Sequence, residues 1–359
     1  MRKKVLVAMS GGVDSSLAAA LLLEDGYEVI GATLRLWPEE LCKYEGNDRL
    51  CCSAMDIEDA RAVASFLKVP FYVLNAAREF NEKVIEYFCN EYENGLTPNP
   101  CIVCNEEIKF GTLLKKAMEL DIDYVATGHY ARIEYNSDTH RYVIREGSDP
   151  HKDQSYVLYR LSQEQMARIL LPIGDWTKED VRRRAKELGI NVHDKPDSQE
   201  LCFVLNNDLN GFLRSRLKDR IQPGLIMDKD GRVLGEHPGV CFFTIGQRKG
   251  LGFAAGEPLY VLKIDKENNL IIVGKKEETR RRELVAYDLN WVAIERLDGT
   301  KTVKAKIRYN HPKDDAIISS IPGDCVRVEF LRGQESPAPG QAVVFYEDDM
   351  VIGGGWIRN

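Results

Sequence analysis

Apolar stretches and Gly- or Pro-marked breaks alternate along the first two hundred positions in a way that predicts strand and helix by turns. Residues 3–9 carry an apolar run closed by Ser10-Gly11-Gly12, the pattern of a strand buried on both faces of a parallel sheet. Residues 15–24 take a helical pattern that ends near Gly26, as a helix C-cap does. The same reading predicts strands at 27–34, 70–74 and 124–127 and helices at 56–67, 79–92 and 106–120. Two prolines and a glycine make 94–104 a loop. Such alternation predicts an α/β fold: a doubly wound parallel sheet with ligands bound at the carboxyl ends of its strands.

The pattern changes near Leu205. From there to about Lys276 the chain reads as short strands between glycines and prolines, for example 240–245 and 259–264. After Leu284 strict alternation dominates at 301–309, 325–330 and 342–346, with turns at Pro322-Gly323 and Pro339-Gly340. Three domains follow: 1–205 as the α/β domain, 206–278 as a small central β-rich domain, and 279–359 as a small C-terminal β-barrel. No internal repeat is evident.

Length agrees with this division, since 359 residues exceed one ordinary core. Hydrophobic residues make up 44% of the chain, enough for buried cores, and no apolar run approaches a membrane span. The Met-Arg-Lys-Lys start followed by a short strand lacks the pattern of a signal peptide, so a cytoplasmic protein is expected. A net charge of −7 weighs mildly against a nucleic-acid partner. Local basic stretches (Arg182-Arg183-Arg184, Arg248-Lys249, Arg280-Arg281-Arg282) read first as solvated faces, although any could hold a phosphate backbone.

The segment Ser10-Gly11-Gly12-Val13-Asp14-Ser15-Ser16 lies between a strand and a helix, where glycines admit a ligand close to the backbone and helix-start N–H groups attract phosphate. It is neither a Walker A loop nor a GxGxxG turn. A plain tight turn would explain one glycine but not the aspartate and flanking serines. The segment resembles the PP-loop of ATP pyrophosphatases, which cleave ATP to AMP and pyrophosphate while adenylating a carbonyl oxygen. By that likeness the serines and loop amides hold the pyrophosphate end, and Asp14 orients the loop or helps place Mg²⁺.

Nine cysteines, an odd number with no secreted disulfide spacing, suggest metal ligands or reactive thiols in a reducing compartment. Cys101 and Cys104 stand just before an expected helix, where thiolate is favoured, and Cys202 follows in Glu200-Leu201-Cys202-Phe203. Cys89, Cys241 and Cys325 read as small buried hydrophobes; Cys42, Cys51 and Cys52 have no assigned role.

Taken together these segments resemble the tRNA-specific 2-thiouridylases from end to end. The likeness includes 8–16, Cys51-Cys52-Ser53, 97–110, Ala126-Thr127-Gly128-His129-Tyr130, 152–156, 200–203, 244–248 and 353–357. It implies ATP-dependent 2-thiolation of a wobble uridine in the anticodon loop of tRNA. Ala8, Met9, Ser10, Gly11, Gly12, Val13, Asp14, Ser15, Leu34 and Gly128 would enclose ATP. Asn99, Pro100, His129, Lys152, Asp153, Gln154, Arg308, Tyr309 and Gln341 would contact tRNA. Cys202 would carry sulfur as a persulfide, with Cys104 as its partner thiol, and the sulfur would come from a donor protein such as a cysteine desulfurase or a relay protein. The parts make chemical sense: adenylation turns a poor leaving oxygen into AMP, and an accessible low-pKa sulfur then attacks an unstacked base.

One departure matters. Most family members have an aspartate, thought to act in proton transfer, where this chain has Cys101. Cys101, Cys104 and Cys202 could instead ligate an iron–sulfur cluster with one open iron, as in related PP-loop thiolases. The Cys104–Cys202 persulfide and disulfide cycle and a zinc site are the other readings of the same residues. A PP-loop ligase adenylating a small molecule is the rival enzyme, and a tRNA-binding or sulfur-carrier protein the rival without catalysis.

Overall fold

The computed structural model describes residues 2–37, 54–196, 201–253 and 256–358; Cys42, Cys51, Cys52, Ser53 and Glu200 lie outside the described residues. Val5, Leu6 and Val7 are buried at the centre of β1 (Lys4–Ala8) because neighbouring strands flank it and helices cover it. The next strands are β2 (Glu28–Arg35), β3 (Phe71–Asn75), β4 (Tyr124–Ala126), the hairpin β5 (Ala131–Asn136) and β6 (Arg141–Glu146), and the short β7 (Ile169–Leu170). The first sheet runs β3-β2-β1-β4-β7, parallel throughout. The chain winds outward from β1 to β3 and then crosses back to β4. The order therefore reverses between β1 and β4, and the cleft at their carboxyl ends is the place such a sheet offers a ligand.

The first helix, Val13–Glu24, starts two residues earlier than its apolar pattern suggests, because Gly12 takes the extended conformation of an N-cap. The expected loop at 94–104 is only partly a loop. A helical turn opens at Pro100 (Pro100–Val103) and runs on through a π-helical stretch, Cys104–Thr112, into Leu113–Glu119. Proline is well suited to the first turn, where its missing N–H is not needed. Cys101 and Cys104 are thus three residues apart on one helix.

The central unit comprises β8 (Gly224–Asp228), β9 (Val233–His237), β10 (Tyr260–Asp265) and β11 (Leu270–Gly274), ordered β10-β11-β8-β9 around Ile226, Val261, Ile271 and Val273. Two expectations fail here. A helix, Leu209–Leu217, precedes it, and the strand expected at 240–245 is a 3₁₀ turn, Val240–Phe242. A short buried apolar run carries no period that separates strand from turn.

The barrel is built from β12 (Arg280–Trp291), β13 (Thr300–Lys306), β14 (Asp314–Ile321), β15 (Cys325–Glu335), β16 (Ala342–Glu347) and β17 (Met350–Ile357). Because β12 pairs with both β15 and β17, the six strands close on themselves. The strand expected at 301–309 stops at Lys306, leaving Arg308 and Tyr309 in the following turn. The β5–β6 hairpin extends the barrel sheet through Met350 opposite Arg145, and Arg132 and Arg145 each bond Asp349 at 2.7 and 2.6 Å. Barrel and nucleotide domain therefore share a sheet, which sets the barrel beside the cleft. Among the described residues no helix is long and apolar enough to cross a membrane.

Candidate active site

The loop leaving β1 is held by its own serines. Ser10 N–H donates to Ser15 Oγ (3.1 Å), which donates to Gly12 O (3.2 Å), and Ser16 Oγ donates to the same carbonyl (2.8 Å). Gly11 has φ +73°, and a Cβ there would collide with the Asp56 carbonyl, so only glycine fits. No side chain caps the helix at Gly12, so it opens on main-chain N–H groups suited to phosphate. Gly128, just after β4, closes over this loop: a Cβ there would lie 2.6 Å from Ser15 N.

Two lysines brace the loop, and neither was anticipated. Lys178 Nζ donates to both Asp14 carboxylate oxygens at 2.8 Å, while Tyr130 Oη donates to Asp14 Oδ1 at 2.7 Å. Lys195 Nζ donates to Gly11 O (3.1 Å), Asp56 Oδ1 (2.7 Å) and Asp59 Oδ2 (2.5 Å). With its oxygens engaged in this way, Asp14 fits the orienting role better than that of a metal ligand. The Thr177–Asp180 capping pattern that starts the Lys178 helix is visible in the sequence, but not where that lysine points.

His129 is buried, with Nδ1 2.7 Å from Thr127 Oγ1 and its ring against Phe110. Burial, aided by Lys109, holds its pKa well below the ordinary value, so the imidazole is neutral at pH 7.

The thiol helix is fastened to the barrel. Asn99 Nδ2 donates to Gln341 Oε1 (3.1 Å) and Asn99 Oδ1 accepts from Ala342 N–H (2.7 Å), while Gln341 Nε2 donates to the carbonyls of Thr97 and Pro98. Asn99 and Gln341 are thus bonded to each other and to the loop. Replacing Asn99 by alanine leaves the Ala342 N–H and Gln341 without this partner. The expected loss is about 1–3 kcal/mol of stability, read as a lower urea midpoint at unchanged m-value.

A cavity of about 580 Å³ brings the cleft together. Its walls include Ala8, Met9, Ser10, Gly12, Val13, Asp14, Ser15, Leu34, Gly128, His129, Lys152, Gln154, Tyr309 and Cys104, together with the unanticipated Thr127, Tyr130, Lys109, Lys178 and Lys195. Gly11, Asn99, Pro100, Asp153, Arg308, Gln341, Cys101 and Cys202 are not part of its lining. Gly11 shapes it from behind, and Gln154 Oε1 accepts from Tyr130 N–H at 3.0 Å. Asp153 is buried and accepts from Gly147 N–H (3.1 Å), Ser155 N–H (3.0 Å) and Ser155 Oγ (2.9 Å). Arg308 donates to the Glu335 and Ser336 carbonyls, tying down the barrel's edge. Burial pushes the Tyr309 hydroxyl up to about 12.

The three thiols differ in setting. Cys104 is buried in the cavity wall, Cys101 is exposed one helical turn earlier, and Cys202 is half-buried beside Phe203, whose ring packs on Phe80, Phe88 and Phe212. Among the described residues no three Cys, His, Asp or Glu side chains gather into a metal-binding group. Cys101, Cys104 and Cys202 form no such group among the described residues.

A switch-point loop built for phosphate, a thiol in the same cleft and a barrel fastened to the thiol's helix define a PP-loop enzyme that couples nucleotide chemistry to sulfur. Comparisons with known proteins agree. Residues 3–206 match the family model described as tRNA methyl transferase HUP domain, 210–275 the tRNA methyl transferase PRC-barrel domain, and 281–357 the aminomethyltransferase beta-barrel domain. The chain is 51% identical over 360 residues to the tRNA-specific 2-thiouridylase MnmA of Acetivibrio thermocellus, covering 99% of each chain. It is 48% identical over 359 residues to that of Clostridioides difficile, covering 100% of this chain and 99% of the relative. The chain belongs to the tRNA-specific 2-thiouridylase family.

Proposed function

We propose that this protein replaces the 2-oxygen of a wobble uridine in tRNA with sulfur, using ATP. The observation that carries this reading is the shared cavity: Cys104 and the Ser10–Ser15 loop line one space of about 580 Å³. ATP lies with its pyrophosphate end over the loop and the N-terminus of the Val13–Glu24 helix, within Ala8, Met9, Leu34 and Gly128. Mg²⁺ bound with the nucleotide would neutralise the charge that develops on the departing pyrophosphate. The uridine O2 attacks the α-phosphorus, pyrophosphate leaves, and C2 then carries AMP as its leaving group. The terminal sulfur of a persulfide on Cys202 attacks C2 and expels AMP. Cys104 thiolate next attacks Cys202 Sγ, releasing 2-thiouridine and leaving a Cys104–Cys202 disulfide for a thiol reductant.

This route needs only two of the thiols, Cys104 and Cys202. Lys152, His129, Arg308 and Tyr309 serve tRNA, Asp153 and Gln154 shape the wall they stand on, and Asn99, Pro100 and Gln341 set the loop that meets the base. The division of labour follows the chain: nucleotide and thiols in 1–205, a linking unit in 206–278, and a tRNA-facing barrel in 279–359. The sulfur comes from a cysteine desulfurase or a relay protein, in the cytoplasm. A ligase for small substrates has no use for a barrel turn bonded to the thiol loop.

The test is ATP cleavage to AMP and pyrophosphate with and without unmodified tRNA, followed by nucleoside analysis of the RNA. The expected result is tRNA-dependent cleavage, with 2-thiouridine formed when a persulfide donor is supplied. Cleavage that ignores tRNA but follows a small amide or carboxylate would overturn the reading.

A further inference from the structure

The barrel holds a cation to which the chemistry above gives no task. Lys306, the last residue of β13, is half-buried, its ammonium 5.8 Å from the centre of the Tyr156 ring and 5.7 Å from that of Tyr309. The carboxylates whose charge reaches it are Asp153 and Glu146. Both are engaged elsewhere, Asp153 by Gly147 and Ser155 and Glu146 by Lys313 at 2.8 Å. Among the described residues Lys306 makes no ion pair, and burial lowers its pKa from the ordinary lysine value. An ammonium that gives up water without gaining a partner is destabilising, and an anion arriving from outside removes that cost.

The position indicates which anion. Tyr309 and Asn310 line the cleft that contains Cys104 and the phosphate loop, but Lys306 does not, so it is off the nucleotide's own site. It sits instead at the barrel edge of that cleft, beside two tyrosine rings. A lysine is a compact point charge that takes phosphate without demanding one geometry, and of the two rings beside it the half-buried Tyr309 faces the cleft while Tyr156 is fully buried beneath. We propose that Lys306 holds a backbone phosphate of the RNA strand adjoining the nucleotide whose base enters the cleft, with Tyr156 and Tyr309 keeping the ammonium poorly hydrated until it arrives. The proposal rests on the tRNA-thiolating reading and adds to it the phosphate contact that places the strand.

The experiment measures binding of an anticodon stem-loop RNA with an unmodified wobble uridine, over roughly 50–200 mM salt, to the wild type, Lys306→Met and Lys306→Arg. Lys306→Met is expected to weaken binding about tenfold at the low end and to flatten the plot of log affinity against log salt by about 0.7. Lys306→Arg is expected to retain both, and ATP affinity without RNA is expected to be equal in all three, which also confirms their folding. Unchanged affinity and slope in Lys306→Met overturn the proposal. So does weaker binding with an unchanged slope, since Lys306 then merely props the tyrosine rings. A wild type that does not bind this RNA at all overturns the tRNA reading beneath it as well.

Discussion

Cys104→Ser is expected to lower tRNA thiolation by at least about a thousandfold while leaving ATP affinity within about twofold of the wild type. Sulfur and oxygen are close enough in size that the buried site beside Ile102, Ile108 and Phe110 keeps its packing. What disappears is a nucleophilic sulfur: a serine hydroxyl is not ionised near pH 7 and cannot attack a persulfide sulfur. The cleft therefore still binds ATP and still adenylates the uridine, but sulfur is not released to the product. Single-turnover assays that follow pyrophosphate and 2-thiouridine separately check this. A persisting pyrophosphate burst without thionucleoside is the expected pattern, and comparable loss of both would make Cys104 a structural residue of the nucleotide site. Cys202→Ser is expected to behave alike if it carries the persulfide.

The second large effect concerns a residue with no chemistry of its own. Gly128→Ala is expected to weaken ATP binding about a hundredfold and to lower folding stability by about 1–3 kcal/mol. The added Cβ would lie 2.6 Å from Ser15 N and 2.7 Å from the Asp14 carbonyl carbon, both backbone atoms that cannot swing aside. The strand end must retreat or the loop must open, and opening pulls Asp14 from Lys178 and Tyr130 and misaligns the N–H groups that await phosphate. ATP titration calorimetry with thermal unfolding separates the two effects. Normal ATP affinity in the alanine variant would show that the approach of the two loops does not govern binding.

The chain announces some of this machinery openly. The run at β1, the glycines after it and the spacing of Cys101 and Cys104 are local features, whose meaning is set by turn chemistry and by periods of two and 3.6 residues. Other parts are silent because their partners are remote in sequence. Lys178 meets Asp14 across 164 positions and Asn99 meets Gln341 across 242, pairings that exist only once the sheet has its order and the barrel has docked. Nothing near the β5–β6 hairpin in the chain says that it will extend a barrel formed two hundred residues later.

By itself the sequence determined the nucleotide loop, the candidate thiols, the parallel α/β class and the family resemblance, since each depends on neighbouring residues or on a motif read as a unit. Only the tertiary structure decided that Cys104 stands in the loop's own cavity while Cys101 and Cys202 lie off its lining, that Asp14 is held by a lysine, and that Lys306, half-buried beside Tyr156 and Tyr309, has no ion-pair partner among the described residues. Burial and charge pairing are properties of a packed surface, and a surface comes into being only when distant segments meet.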